Sequence, residues 1–280
     1  TGVQTCALPI FARGVVARVE DQMSLFRPHS ALQQLNRDSV LRNPPADLLR
    51  VLEISQRISA QSQGAFDITV QPLWALYADA QKLGRLPTAA EVQSARARVG
   101  WQHVQVSRER ISLAKPGMRV TLNGIAQGYA SDLVKRQLQQ AGIAHALINT
   151  GEWSSLGQAE GGRDWTLGIA DPHQADRLMT RVRMRGGCVA TSADDQCSFS
   201  ADRVHHHILN PETGYSPRDI SSVTVIANTC TEADALTKVL FVAGYESALH
   251  TARTHQVEAL IVHKNSQWQA TPSLSQYLIA

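Results

Sequence analysis

The run Val223-Thr224-Val225-Ile226-Ala227, with an amphipathic run from Glu232 to Ala243 close behind it, constrains the fold more than any other stretch. The first is rich in β-branched residues and reads as a strand. In the second, Ala233, Leu236, Leu240 and Ala243 fall at helical spacing and give a helix with one apolar face. Such a chain must pack helix on sheet. Residues 102–106 and 109–113 alternate as a hairpin does. Further strands are expected at Ala144–Asn149, Trp165–Ala170, Arg181–Arg185, Cys188–Thr191 and Ala259–His263. Helices are expected from Phe11, at Ala46–Ser62, after Thr88, at Tyr129–Gln140 and at Glu246–Thr254. These elements do not alternate strictly as βα units, and no internal repeat is evident. The expected class is α+β, with mixed, largely antiparallel sheets and packed helices.

Local signals sharpen the boundaries. Ser30 is placed to cap a short helix beginning at Ala31. Asn43-Pro44-Pro45 is a hinge. Thr88 with Glu91 three residues on has the pattern of a capping box. Val120-Thr121-Leu122 reads as a strand leading into the glycine-bearing loop Asn123-Gly124-Ile125-Ala126-Gln127-Gly128.

The 280 residues carry a net charge of +3, with basic residues dispersed and aromatics at only 5%. A nucleic-acid partner is therefore not expected. No apolar run approaches the roughly 20 residues that span a bilayer. Cys6, Cys188, Cys197 and Cys230 form no CxxC pair, so no structural zinc is suggested. Free thiols are favoured over a Cys188–Cys197 disulfide. Residues 1–10 resemble a translated sequencing adapter rather than natural protein, so Cys6 carries no meaning on this reading. Residues 11–280 then form one functional domain whose native N-terminus, with any signal or lipid anchor, is missing.

Three places could carry chemistry. The loop at 121–128 opens a helix, where backbone N–H groups suit a phosphate, although it matches neither a Walker A nor a dinucleotide fingerprint. Thr231 precedes a helix start with Asp234 three residues on, a capping arrangement in which the macrodipole favours Asp234; Asp234 also stands i,i+4 to Lys238, or could ligate a hard cation. His205-His206-His207 precedes the turn Asn210-Pro211-Glu212-Thr213-Gly214. If that run is a strand, His205 and His207 share one face and His206 takes the other. It is either acid/base equipment or a half-exposed strand. A zinc reading lacks further ligands.

Taken together, several segments resemble one family. They are Met23-Ser24-Leu25-Phe26-Arg27-Pro28-His29-Ser30 with Asn36, Gly64-Ala65-Phe66-Asp67-Ile68-Thr69-Val70 with Pro72, and Leu122 through Asp132. Ala190-Thr191-Ser192, His207 through Gly214, Ser222 through Val225, and Ala233-Asp234-Ala235-Leu236 complete the set. In this order they are similar to the marks of the ApbE family, the FAD:protein FMN transferases. The resemblance implies an ApbE-like fold and transfer of FMN from FAD, with Mg²⁺, onto a Thr or Ser hydroxyl of a target flavoprotein, releasing AMP. By motif position it implies His207 as the base. It implies flavin or FAD contacts at Phe26, Ala65, Phe66, Asp67, Thr121, Gln127 and Ile208, with Lys238 beside the diphosphate. It implies Mg²⁺ at Asp234, Thr237 and a backbone oxygen near Gly124. It also implies the periplasmic side of the bacterial inner membrane, with any membrane attachment through a lipid anchor upstream.

This chain departs from the family pattern at Thr121, Gln127, Glu152, Ala193, Asn210 and Lys238. Glu152 stands where the family has a second glycine. Lys238 stands where the family has a metal-binding Thr, and an ammonium repels Mg²⁺ but can pair with a diphosphate. The departures at Gln127, Glu152 and Lys238 favour a second reading, an FAD carrier or assembly factor without transfer; a third is a pyrophosphatase giving FMN and AMP, with water in place of the protein hydroxyl.

Overall fold

The computed structural model describes residues 2–184 and 186–279, with side chains described for 12–174, 176–184 and 186–278. Thr1, the side chain of Cys6 and Arg185, the expected end of a strand, lie outside the described residues. In chain order the helices are α1 (Gly2–Met23), α2 (Ala31–Asp38), α3 (Ala46–Gln61), α4 (Gln71–Lys82), α5 (Ala89–Arg96), α6 (Ala126–Gln140), α7 (Cys230–Ala243) and α8 (Tyr245–Thr254). The strands are β1 (Val40–Arg42), β2 (Val104–Val106), β3 (Arg110–Leu113), β4 (Ala146–Asn149), β5 (Trp153–Leu156) and β6 (Trp165–Asp171). After them come β7 (Gln174–Met184), β8 (Cys188–Ala193), β9 (Ile220–Ala227), β10 (Glu258–His263), β11 (Trp268–Ala270) and β12 (Leu278–Ile279). The class is α+β, as the interleaved periodicities predict.

The chain divides into two compact units. The first comprises Thr1–Ala17, Gln127–Ala193 and Asp219–Ala280. Its larger sheet has the order β11-β10-β9-β8-β5-β4, with antiparallel neighbours throughout. A smaller antiparallel sheet has the order β12-β7-β6. The run at 223–227 is the heart of β9, which is buried from Ile220 to Ile226. Strand alternation divides its side chains between two layers. Ile226 pairs across the ladder with Val189 and joins Leu260, Val262, Leu167, Val182 and Met184 in one apolar cluster. On the other face Val223 pairs with Ser192, whose hydroxyl lies 2.7 Å from Thr237 Oγ1 on α7. Thus α7 covers that face. Helix α6 packs on α7 at Gly128, where an added Cβ would meet the Cys230 carbonyl oxygen at 2.2 Å.

The second unit comprises Arg18–Ala126 and Asp194–Arg218. It holds the antiparallel sheet β1-β3-β2, whose β2–β3 hairpin matches the alternation in sequence. Leu73 and Tyr77 of α4, Val92 and Ala95 of α5, Val99, Phe199 and Leu209 form an apolar core. The capping signals hold here. Ser30 accepts from the Gln33 N–H at 3.0 Å, and Thr88 with Glu91 makes the complete box.

Four local expectations need correction. Residues 120–122 are not a strand; the buried Asn36 side chain pairs with both Val120 backbone groups, at 2.7 and 2.8 Å, as a neighbouring strand would. The histidine run is not a strand either; only His206 makes a single bridge, to Ser198. Helix α7 begins earlier than expected, capped by Thr229 rather than Thr231. Thr231 lies inside the helix because its hydroxyl and N–H both donate to Asp132, at 2.5 and 2.9 Å. Helix α1 extends back from Phe11 to Gly2.

Candidate functional site

In the second unit the histidine run is organised by the turn that follows it. The Asn210 carboxamide oxygen accepts from the N–H groups of Glu212 and Thr213, so Asn210 makes the same turn an aspartate would. Gly214 has φ +79° with Val92 pressed against it, conditions only glycine meets without strain. Around this turn the three imidazoles part company. His206 is fully buried, its Nε2 3.0 Å from the Pro217 carbonyl. His205 stacks on Tyr77 with ring centroids 6.0 Å apart. His207 is half-buried, and its Nδ1 lies 3.1 Å from the Cys197 carbonyl. A carbonyl only accepts, so Nδ1 carries the proton and the basic lone pair is on Nε2.

Phe26 is 79% exposed and lines a cleft of about 400 Å³ with Leu25, Gln33, Asn36, Trp74 and Asn123. Arg37 and Arg119 stand at the same cleft. Its size and aromatic lining suit a planar ring system. Trp74 and Arg119 were missed in the sequence, although each lies within a few residues of a recognised motif. Phe66 and Ile208 are buried, so their side chains serve packing; Ala65 is half-buried. Asp67 is buried, and its carboxylate accepts from Thr69 N–H, Thr69 Oγ1 and Trp101 N–H at 2.7, 2.6 and 2.9 Å. Burial pushes its pKa up, against those bonds. Asp67 thus ties the turn at 68–70 to Trp101. Thr121 donates its N–H to Ile68 O at 2.8 Å and accepts from Asn123 N–H at 3.2 Å. The half-buried Gly124 lies in the turn that closes from Leu122 to Ile125.

In the first unit the relevant group is Gln127, Glu152, Asp234, Thr237 and Lys238. Gln127 is exposed at the start of α6, beside Gly151. Asp234 is 1% exposed; its Oδ2 accepts from the Gly128 N–H at 3.2 Å. Its Oδ1 accepts from Lys238 Nζ in a close ion pair, and the same ammonium donates to the Asp234 carbonyl at 3.0 Å. The i,i+4 pairing read from the sequence is therefore present. Thr237 is fully buried and donates to the Asp234 carbonyl at 2.6 Å. Glu152 is buried. Burial first, then the nearby Asp234 charge, pushes its carboxyl up to about 8, against the pull of Lys238.

These donors do not suit Mg²⁺. A hard dication needs several oxygens facing a common point. Here one Asp234 oxygen holds an ammonium, the other holds a backbone N–H, and the Thr237 hydroxyl is turned inward. A dication at Asp234 would sit against the Lys238 charge.

A second cluster in this unit brings an Asp132 oxygen and the thiols of Cys188 and Cys230 within 4.8 Å of one another. Asp132 Oδ1 accepts from the Cys188 thiol at 3.8 Å and from the Cys230 N–H at 2.8 Å, and the Cys230 thiol donates to Trp153 O at 3.4 Å. Hydrogen bonding from Cys188, then burial, pushes the Cys230 thiol up. Asp132, in the motif at 122–132, is thus the anchor for α7. Cys188 and Cys197 are free thiols, as favoured from the sequence.

The ApbE family model matches residues 10–261. The FAD:protein FMN transferase of Salmonella typhimurium is 30% identical over 276 residues, covering 92% of this chain and 78% of that protein. Among solved structures, the flavin transferase ApbE from Vibrio cholerae superposes with TM-score 0.84 at 27% identity, over 97% of this chain and 90% of the other. The ApbE protein from Thermotoga maritima does so with TM-score 0.89 at 25% identity, over 97% and 92%.

Proposed function

Because the chain belongs to the ApbE family, we propose that it transfers the FMN moiety of FAD onto a Thr or Ser hydroxyl of a target flavoprotein and releases AMP. The observation that carries this reading is the family match along nearly the whole chain, with the motif residues in family order.

In the reaction the acceptor oxygen attacks the phosphorus of the FMN half, and the bond from that phosphorus to the AMP phosphate breaks. The hydroxyl proton must leave as the new bond forms. His207 Nε2 takes it, since the Cys197 carbonyl holds the other ring nitrogen protonated. The Phe26 cleft is the proposed seat of the isoalloxazine ring, with Trp74 as an aromatic neighbour and Arg119 as a cation. Ala65, Phe66, Asp67, Thr121 and Ile208 shape and brace this region, while Gln127 opens α6. The resemblance expects Mg²⁺ at Gly124, Asp234 and Thr237; for the charge reasons above, no step here runs through it. A periplasmic workplace, with attachment through a lipid anchor upstream, belongs to the same proposal and rests on the resemblance. Among the described residues, no helix is long and apolar enough to cross a membrane.

The buried Glu152 carboxyl favours a second reading, a carrier that holds FAD intact. Incubation with FAD and a flavoprotein domain bearing an acceptor Thr separates the outcomes. Mass gain on the acceptor with stoichiometric AMP supports transfer. AMP with an unlabelled acceptor indicates a pyrophosphatase, and intact bound FAD indicates the carrier.

A further inference from the structure

We propose that the Lys238 ammonium is the built-in cation of this enzyme's diphosphate site and that the chain binds and uses FAD without a divalent metal. The inference rests on the transferase reading for the identity of the anion, but not for the cation itself. FAD carries its charge on the diphosphate, and AMP leaves as an anion, so a site for it needs positive charge at the phosphates. Where the family resemblance expects a dication, Asp234 instead holds the ammonium of its own helix neighbour. Two of the three N–H bonds of Lys238 go to Asp234, one to Oδ1 and one to the carbonyl. The third is available to an anion. The side chain is 21% exposed, so the ammonium is anchored yet reachable.

The surroundings hold it in place. Asp234 is fixed from the other side by the Gly128 N–H, and Gly128 in turn has no space for a side chain. Thr237 donates to the Asp234 carbonyl and meets Ser192, which fixes the α7 turn that carries the pair. A tethered ammonium needs no metal to be recruited, and its position is set by the fold.

The test uses the 280-residue chain. FAD affinity is measured by flavin fluorescence in EDTA and in millimolar Mg²⁺, and Mn²⁺ serves as a paramagnetic metal probe of the FAD-loaded protein. The expected result is equal FAD affinity in both conditions and no Mn²⁺ bound beyond that taken by free FAD. Stoichiometric Mn²⁺ on the loaded protein, FAD affinity that collapses in EDTA, or no FAD binding at all would overturn the proposal. Lys238→Gln should weaken FAD binding in EDTA by about 10–100-fold, the loss of one charged hydrogen bond. Lys238→Thr should make FAD binding depend on Mg²⁺. If either variant fails to fold, the wild-type metal measurements still decide. Acceptor labelling then separates the two ideas. Equal labelling with and without Mg²⁺ supports both. Labelling only with Mg²⁺ sinks the built-in cation and leaves the transferase. FAD bound without metal and never transferred leaves the cation and sinks the transferase.

Discussion

At the scale of single residues, charge and tautomer decide what each group can do. The Cys197 carbonyl orients His207, so His207→Ala should lower the transfer rate by about 10²–10⁴-fold while FAD affinity stays close to wild type. Single-turnover labelling with a parallel FAD titration measures both, and unchanged labelling would remove His207 from the proton path. Glu152 makes a different prediction. Its folded carboxyl titrates near 8, well above an ordinary glutamate, so between about pH 4.5 and 8 the folded state binds more proton than the unfolded one. Stability should therefore fall as pH rises through that window, with a slope of up to about 1.4 kcal/mol per pH unit. In Glu152→Gln the slope should flatten, and the variant should melt above the parent at pH 8 but level with it at pH 5. Some of this was legible in the sequence. Lys238 beside Asp234 is a helical i,i+4 pair, and the departures at Glu152 and Lys238 stood out against the family motifs. The roles of Asp67 and Asp132 were not legible, because their partners, Trp101 and Thr231, are distant in sequence.

At the scale of elements, periodicity placed most of the helices, but of the longest strand, β7, it read only the end from Arg181. It failed at 120–122 and 205–207, where side chains replace a strand ladder. Asn36 completes the backbone bonding of Val120 from 84 residues away, which no local pattern announces. Helix starts were misplaced by a few residues for a related reason, since distant groups such as Asp132 hold the first turn of α7. The α6–α7 contact supplies the prediction at this scale. In Gly128→Ala the new methyl would meet the Cys230 carbonyl at 2.2 Å, a backbone atom that cannot turn aside. Overpacking of this kind costs about 1–3 kcal/mol or more. Chemical denaturation should show that loss, and Asp234 should lose its N–H partner. A variant as stable as wild type would mean that the two helices can separate without penalty.

At the scale of the whole molecule, neither unit is a continuous length of chain. The second is built from Arg18–Ala126 and from Asp194–Arg218, and the later segment supplies Phe199 and Leu209 to its core. A fragment ending at Ala126 should therefore lack a cooperative thermal transition, and a chain joining 18–126 to 194–218 should regain one. Circular dichroism melts of the two fragments measure this directly. The sequence reading took residues 11–280 as one domain and did not show the two units, because interleaving is a property of long-range contacts rather than of local sequence. The interleaving also sets a timetable for synthesis. The core of the second unit cannot close until Leu209 has left the ribosome, and by then β4 to β8 of the first unit are already out. Strand β8 must wait for β9 to cover its edge, on the order of seconds at about 5–20 residues per second. During that wait the nascent chain presents an apolar strand edge in the first unit, while the core residues of the second, from Leu73 onward, wait longer still for Leu209.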